Sequence, residues 1–196
     1  MRIFGVILAG GTSRRMQGTN KALLRLGGES LLSRAISRLD PQVERLAISA
    51  NQDADLMAGF GLPILADDTP LGPLAGILAA LRWAAPLGAT AVVSVAVDSP
   101  FFPADLVPRL CLAAEDSPNG VAIAHSRTDH PTFGFWPVGV APALTAFLAT
   151  GVNPRVLTFT ETNAATRAPF PDDHAFDNLN TPEDLARATA VLAGQI

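Results

Sequence analysis

The sequence predicts an α/β domain built on a mostly parallel central sheet, and three observations predict it. Short apolar runs, Ile3 to Leu8 and Ala91 to Val97 above all, lack the polar alternation of a half-exposed strand and read as strands buried on both faces. These runs alternate with segments whose apolar residues recur at helical spacing. Glycines and aspartates follow the strand ends, where sheets of this class leave a crevice for ligands. The 196 residues are read as one domain over 1–196, nucleotide-binding in its first half and acceptor-binding in its second.

Ile3 to Leu8 is the first strand, and a glycine pair, Gly10-Gly11, ends it. Ala22 to Leu26 is short and apolar and stops at Gly27-Gly28, a turn signal. Ser30 is placed to cap a helix in which Leu31, Leu32, Ala35, Ile36 and Leu39 share one face, and Pro41 ends it. Arg45 to Ser49 and Pro63 to Leu65 read as the second and third strands. A loop, Leu71 to Gly76, runs into a helix from Leu74 to Ala85. Ala91 to Val97 is the most apolar run and reads as the central strand. Ala104 to Ala114 reads as a helix, Val121 to His125 and Phe133 to Trp136 as strands, and Pro142 to Ala149 and Arg155 to Phe159 as helical. The last helix starts at Thr181, a cap residue, with Pro182 at its first position and acids in its first turn.

Composition narrows the function. A net charge of −4 argues against nucleic acid as a partner. No apolar run approaches the ~18 residues of a membrane span. The N-terminus enters a strand directly, without a basic region and cleavage site, so no secretory leader is expected. Cys111 is the single cysteine and lies in an apolar helical pattern, which makes it a core residue and suits a cytoplasmic protein. His125, His130 and His174 lack metal-ligand spacing, so no histidine zinc site is expected.

The chemistry gathers after the strands. The loop from Leu8 to Lys21 combines Gly10 and Gly11 with Arg14, Arg15 and Lys21. Backbone N–H groups that a ligand can approach, together with cations, make an anion site suited to a polyphosphate. The alternative is a glycine turn carrying a solvated basic loop. Asp98, just past the central strand, reads as a cation ligand or as the cap of the next helix. Gly72 to Gly76 reads as a place where backbone meets a flat ring, or as tight helix packing. Asn178 and Asn180 are not needed for capping, and their alternation sends them to one side of an extended segment.

Leu8-Ala9-Gly10-Gly11 through Arg15-Met16 and Lys21 resembles the Leu-Ala-Gly-Gly-x-x-x-Arg-Met-Gly-x-x-Lys pattern of Rossmann-like nucleotidyltransferases, and the molybdenum cofactor guanylyltransferase family in particular. Gly72 to Gly76, Asp98-Ser99-Pro100-Phe101, Asp129-His130-Pro131-Thr132 and Asn178 to Glu183 match that family in order, over nearly the whole chain. The resemblance implies a three-layer Rossmann-like domain. It implies that Leu8, Ala9, Gly10, Lys21, Asp67 and Asp98 contact GTP, with Gly11 in the same loop, and that Asp98 also holds magnesium, with manganese as the alternative cation. Asn178 and Asn180 are implied on the pterin side. Arg15 and Lys21 are the candidates for the triphosphate, and Arg155 for the acceptor phosphate. Three positions depart from the pattern. Gln17 stands where the family has glycine after Arg-Met, Asn20 where aspartate often precedes the lysine, and Ser49 where an asparagine follows the second strand. Asn51 takes that last role only with a loop shift.

The expected reaction is transfer of GMP from GTP to molybdopterin, with release of pyrophosphate. Other enzymes of molybdenum cofactor synthesis and the molybdoenzymes that receive the product are the expected protein partners. The rivals are the same chemistry with CTP or a sugar-phosphate acceptor, and a catalytically silent nucleotide-binding homologue.

Overall fold

A computed structural model describes residues 1–10, 20–67, 71–151 and 154–194. Gly11, Arg15, Gln17 and Asp68 lie outside the described residues. The strands and helices follow in the order β1 (Ile3–Leu8), β2 (Arg25–Leu26), β3 (Glu29–Ser30), α1 (Leu31–Leu39), β4 (Arg45–Ser49), α2 (Ala54–Met57), β5 (Ile64–Leu65) and α3 (Pro73–Ala84). Then come β6 (Ala91–Ala96), α4 (Leu106–Glu115), β7 (Ala122–His125), β8 (Asp129–Pro137), α5 (Ala141–Ala149), α6 (Val156–Thr162), β9 (Thr166–Pro169) and α7 (Pro182–Leu192).

Among the described residues, seven strands form one sheet in the order β5-β4-β1-β6-β8-β7-β9. β1 runs parallel to β4 and β6, and β4 parallel to β5. β8 is inserted antiparallel to both β6 and β7, and β9 returns parallel to β7. The alternation along β1 explains the two faces. Ile7 enters a core with Leu31, Leu32 and Leu39 of α1 and Leu106 and Leu110 of α4. Phe4, Val6 and Leu8 enter a core with Leu74, Ile77 and Leu81 of α3, Leu144 of α5 and Phe159 of α6. The sheet is therefore the middle of three layers, and β6 is buried along nearly all its length, as its apolar run predicts.

Local chemistry sets several boundaries. Ser30 accepts a hydrogen bond from the Ser33 N–H and caps α1. Gly27 and Gly28 both have positive φ, the geometry of a tight hairpin turn that joins β2 to β3. At the start of α7, Thr181 and Asp184 form a reciprocal capping box. Gly76 sits where α3 crosses β1 and β4. A Cβ there would lie 2.4 Å from Ser49 Oγ and 3.0 Å from Leu8 Cδ2, so tight packing accounts for this glycine. Gly72 has φ 78°, the left-handed region that favours glycine, and it leads into the first turn of α3.

The structure departs from the sequence reading at three elements. β8 begins at Asp129, four residues before the expected strand at Phe133. α2 and β9 were not expected at all. β9 is short and buries only Ala168, so its place comes from pairing with β7 and not from local pattern.

Candidate active site

Three stretches far apart in the chain meet above the carboxyl ends of β1 and β6. The first is the end of β1. The Ala9 N–H donates to Ser49 O (2.9 Å) and the Val97 N–H to Leu8 O (3.2 Å), so the chain stays tied to both neighbouring strands until Gly10. Leu8 and Ala9 are buried and Gly10 is exposed, with no heavy atom of the described residues near the place of a Cβ.

Lys21 opens a single 3-10 turn, Lys21–Leu23, capped by Asn20, whose Oδ1 accepts from the Ala22 N–H (3.0 Å). Asn20 Nδ2 donates to Asp53 Oδ2 at 2.9 Å. This gives the Asn20 departure a physical reason: an aspartate there would set two carboxylates against each other. Asp53, held at φ 57°, carries no local motif that would have marked it.

The third stretch follows β6. Lys21 Nζ donates to Asp98 Oδ2 at 2.9 Å and to Asn180 Oδ1 at 2.5 Å. The Lys21 and Asp98 side chains are only 18% and 21% exposed, so this ion pair is largely withdrawn from solvent. Asp98 caps no helix; the cap position of α4 belongs to Asp105. The backbone of Asp98 has a separate task, since its carbonyl accepts from the Leu179 N–H at 2.8 Å. Buried Ser99 donates to Asn178 Oδ1 (2.6 Å) and lies 3.2 Å from Phe176 O. The segment from Phe176 to Asn180 is thereby docked on the loop after β6.

The capping box of α7 completes this docking. Asp184 Oδ2 accepts from the N–H groups of Asn180 (3.0 Å) and Thr181 (2.9 Å). The Asn180 amide is the first of the donors that hold the Asp184 carboxyl below the usual carboxylate range. Arg38 supports the loop from below: its Nε donates to Phe102 O (2.7 Å) and its Nη2 to Phe101 O (3.2 Å). Burial, and then neighbouring Arg34, lower its pKa from the ordinary arginine value.

The result is a cleft of about 270 Å³ lined by Gly10, Lys21, Pro73, Asp98, Thr132 and Asn178, among others. Asn51 and Asp67 stand apart from that lining, after β4 and β5. They pair reciprocally: Asn51 Nδ2 donates to Asp67 Oδ2 (3.0 Å), and the Asp67 N–H donates to Asn51 Oδ1 (2.7 Å). Ser49 is buried under Gly76, so Asn51 is the exposed polar residue after β4. Arg155 is exposed at the cap of α6 and is not part of the cleft lining. A larger hollow of about 510 Å³ between β5, α3 and α5 is lined chiefly by aliphatic residues and lacks the carboxylate–ammonium pair of the cleft.

The donor set suits a divalent cation in part. Asp98 provides one hard carboxylate, and Asn178 and Asn180 place amide oxygens close by. Among the described residues there is no cluster of three acidic, histidine or cysteine side chains. A single carboxylate suits a cation that takes its remaining ligands from phosphate oxygens and water.

Comparison with known proteins identifies the family. The MobA-like NTP transferase domain family matches residues 5–164. A molybdenum cofactor guanylyltransferase of Cereibacter sphaeroides is 57% identical over 192 residues, covering 98% of each chain. One of Mesorhizobium japonicum is 46% identical, over 97% of this chain and 96% of its own. Among solved structures, molybdopterin-guanine dinucleotide biosynthesis protein A of Archaeoglobus fulgidus superposes with a TM-score of 0.81 at 23% identity, over 97% of this chain and 99% of that one. The 4-diphosphocytidyl-2C-methyl-D-erythritol synthase of Anaerococcus prevotii superposes almost as well, with a TM-score of 0.78 at 12% identity over 98% of this chain and 96% of that one. The architecture is thus common to relatives named for different products, and sequence identity separates them. This chain is a nucleotidyltransferase and belongs to the molybdenum cofactor guanylyltransferase family.

Proposed function

We propose that the chain transfers GMP from GTP to the terminal phosphate of molybdopterin, giving the guanine dinucleotide form of the cofactor and pyrophosphate. The observation that carries this reading is Lys21, whose ammonium bridges Asp98 and Asn180 beside Gly10. One cation touches the residue suited to a metal and a residue on the acceptor segment, next to backbone that a phosphate can approach.

An oxygen of the acceptor phosphate attacks the α-phosphorus of GTP, and the bond to pyrophosphate breaks. The acceptor is already an anion, so the reaction asks for charge screening and not for a strong base. Among the described residues, no histidine lines the cleft. Gly10 and Lys21, with Gly11 and Arg15 of the same loop, hold the triphosphate. Lys21 turns from Asp98 to the phosphates as GTP enters, which leaves the Asp98 carboxylate for magnesium. Bound magnesium would supply positive charge at the α-phosphate and the leaving pyrophosphate. Asp67, braced by Asn51, is suited to guanine, whose adjacent N–H groups a carboxylate accepts together, whereas cytosine offers an unshielded acceptor there. Asn178 and Asn180 orient the acceptor. We place the reaction in the cytoplasm; among the described residues, no helix is long and apolar enough to cross a membrane. Other enzymes of cofactor synthesis and the recipient molybdoenzymes are its protein partners in this reading.

The test is the mass of the product formed from molybdopterin, magnesium and an equimolar mixture of GTP and CTP. The reading expects the guanine dinucleotide. A cytosine dinucleotide would move the chain to the cytidylyl branch, and no dinucleotide would make it a silent binder.

A further inference from the structure

The stretch Asp129-His130-Pro131-Thr132 opens β8. β8 meets β7 in two registers: Ile123 faces Gly134, but the next residue, Ala124, faces His130. Pro131, Thr132 and Phe133 are therefore passed over by the β7 ladder. On its other edge β8 pairs with β6 only from Ser94↔Gly134 to Ala91↔Pro137. Thr132 thus lies beyond the last β6 pair and between two β7 pairs, in a bulge that begins with a proline. Bulges beside active sites re-aim a side chain, and a proline there has no N–H to leave unpaired.

A buried relay holds this bulge. Trp136 Nε1 donates to Ser94 Oγ (2.9 Å), and Ser94 Oγ donates to Thr132 O (2.8 Å). Ser94 and Trp136 are both fully buried. Gly134 permits the arrangement, because a Cβ there would lie 2.6 Å from the Trp136 ring. The Thr132 backbone is fixed at the cleft wall next to Asp98 and Asn178. Among the described residues, the Thr132 hydroxyl bonds to no other group.

Sheet order says which substrate it meets. The strands over the cleft run β4, β1, β6, β8. Adjacent strands lie about 4.8 Å apart. Gly10 follows β1 and Asp98 follows β6, so Thr132, on β8, stands on the far side of Asp98 from the nucleotide loop. We propose that Thr132 is a contact for the acceptor phosphate, its hydroxyl donating to a phosphate oxygen, and that Ser94 and Trp136 act as positioning residues through its carbonyl. The assignment rests on the nucleotidyl-transfer reading above.

The test uses Thr132→Val, which keeps the branched shape and loses the hydroxyl, and Thr132→Ser, which keeps the hydroxyl. Acceptor KM and kcat come from pyrophosphate release, and GTP affinity from calorimetry. Thr132→Val should raise acceptor KM about tenfold, the size of a hydrogen bond to a charged group, with GTP affinity and melting temperature unchanged. Thr132→Ser should restore acceptor KM to within about threefold of the parent. Ser94→Ala should raise acceptor KM while sparing GTP affinity, and a loss of thermal stability alone would remove Ser94 from the positioning role. An unchanged acceptor KM in Thr132→Val overturns the proposal, as does equal damage in Thr132→Ser. Weakened GTP binding in Thr132→Val would put Thr132 on the nucleotide side. Absence of pyrophosphate release by the parent enzyme would overturn the functional reading, and the Thr132 assignment with it.

Discussion

At β1 and β6 the chain reaches the cleft as it leaves a strand; at β8 it reaches the cleft as it enters one. The parallel half delivers Gly10, Asp98 and, at the rim, Asn51 and Asp67 from loops that follow carboxyl ends. The antiparallel insertion delivers Thr132 from the start of a long strand, and the Asn178–Asn180 segment arrives without any strand of its own. The first half is held by ladder hydrogen bonds that run up to the site. The second half is held by side chains: Ser94 on the Thr132 carbonyl, Ser99 on Asn178, and Asp184 on the Asn180 amide. A site built this way has a fixed nucleotide floor and an acceptor wall pinned by separate polar contacts. Single substitutions should therefore separate the two substrates.

The largest expected effect is at the seam. Asp98→Asn should lower turnover several hundredfold, about 3–4 kcal/mol, with the fold and much of the GTP affinity kept. The amide preserves size but is a poor magnesium ligand. Pyrophosphate release across a magnesium titration checks this, and a near-normal rate would detach Asp98 from the chemistry.

Lys21→Ala should weaken GTP binding about tenfold, the worth of a charge-assisted contact. Calorimetry is the readout, and unchanged affinity would make the Lys21–Asp98 pair merely structural. The two asparagines should then differ. Asn178→Ala removes the hydrogen bond from Ser99 and should raise acceptor KM about threefold to tenfold while leaving GTP affinity alone. Asn180→Ala removes a partner of Lys21 and should disturb both substrates. Identical profiles for the two variants would erase the boundary drawn here.

The smallest effect is one of stability at the outer edge of the acceptor half. Arg167 grips Asp129 through two nitrogens, with His125 Nδ1 2.7 Å from the same carboxylate. Arg167 is the first cause that holds the Asp129 carboxyl below its usual range. A carboxyl depressed in the folded state adds stability above its unfolded pKa, and that stability is lost as pH falls through the folded value. Arg167→Met should therefore cost about 0.5–1 kcal/mol at pH 7, a modest figure because half of Arg167 is in solvent. The cost should fade in acid, as pH falls below the usual aspartate range. Urea unfolding at both pH values measures it, and a difference independent of pH would assign the effect to packing.

The same asymmetry decided what the sequence revealed. Gly10, Lys21 and Asp98 were legible because a strand followed by glycine or aspartate is a local pattern with a known consequence in a parallel sheet. Ser30, Gly27-Gly28 and Thr181 were legible because caps and turns depend on neighbours within four residues. The place of Thr132 at the cleft was hidden, although Asp129 to Thr132 matched the family pattern, because a proline and polar residues interrupt the run before Phe133 while the ladder that extends β8 back to Asp129 comes from β7. Ser49 stood where the family pattern places an asparagine, yet it is buried under Gly76, a contact between residues far apart in sequence. The Asn20–Asp53 pair is of the same kind. In each case the missing information was tertiary.

The spatial division is tested most directly by a crystal structure of the enzyme with magnesium and a GTP analogue that cannot be cleaved at the α-phosphate. The account predicts triphosphate over Gly10 with Lys21 turned from Asp98 to a phosphate, guanine against Asp67, and Thr132 left clear for the acceptor. Nucleotide bound across Thr132, with Lys21 still on Asp98, would contradict it.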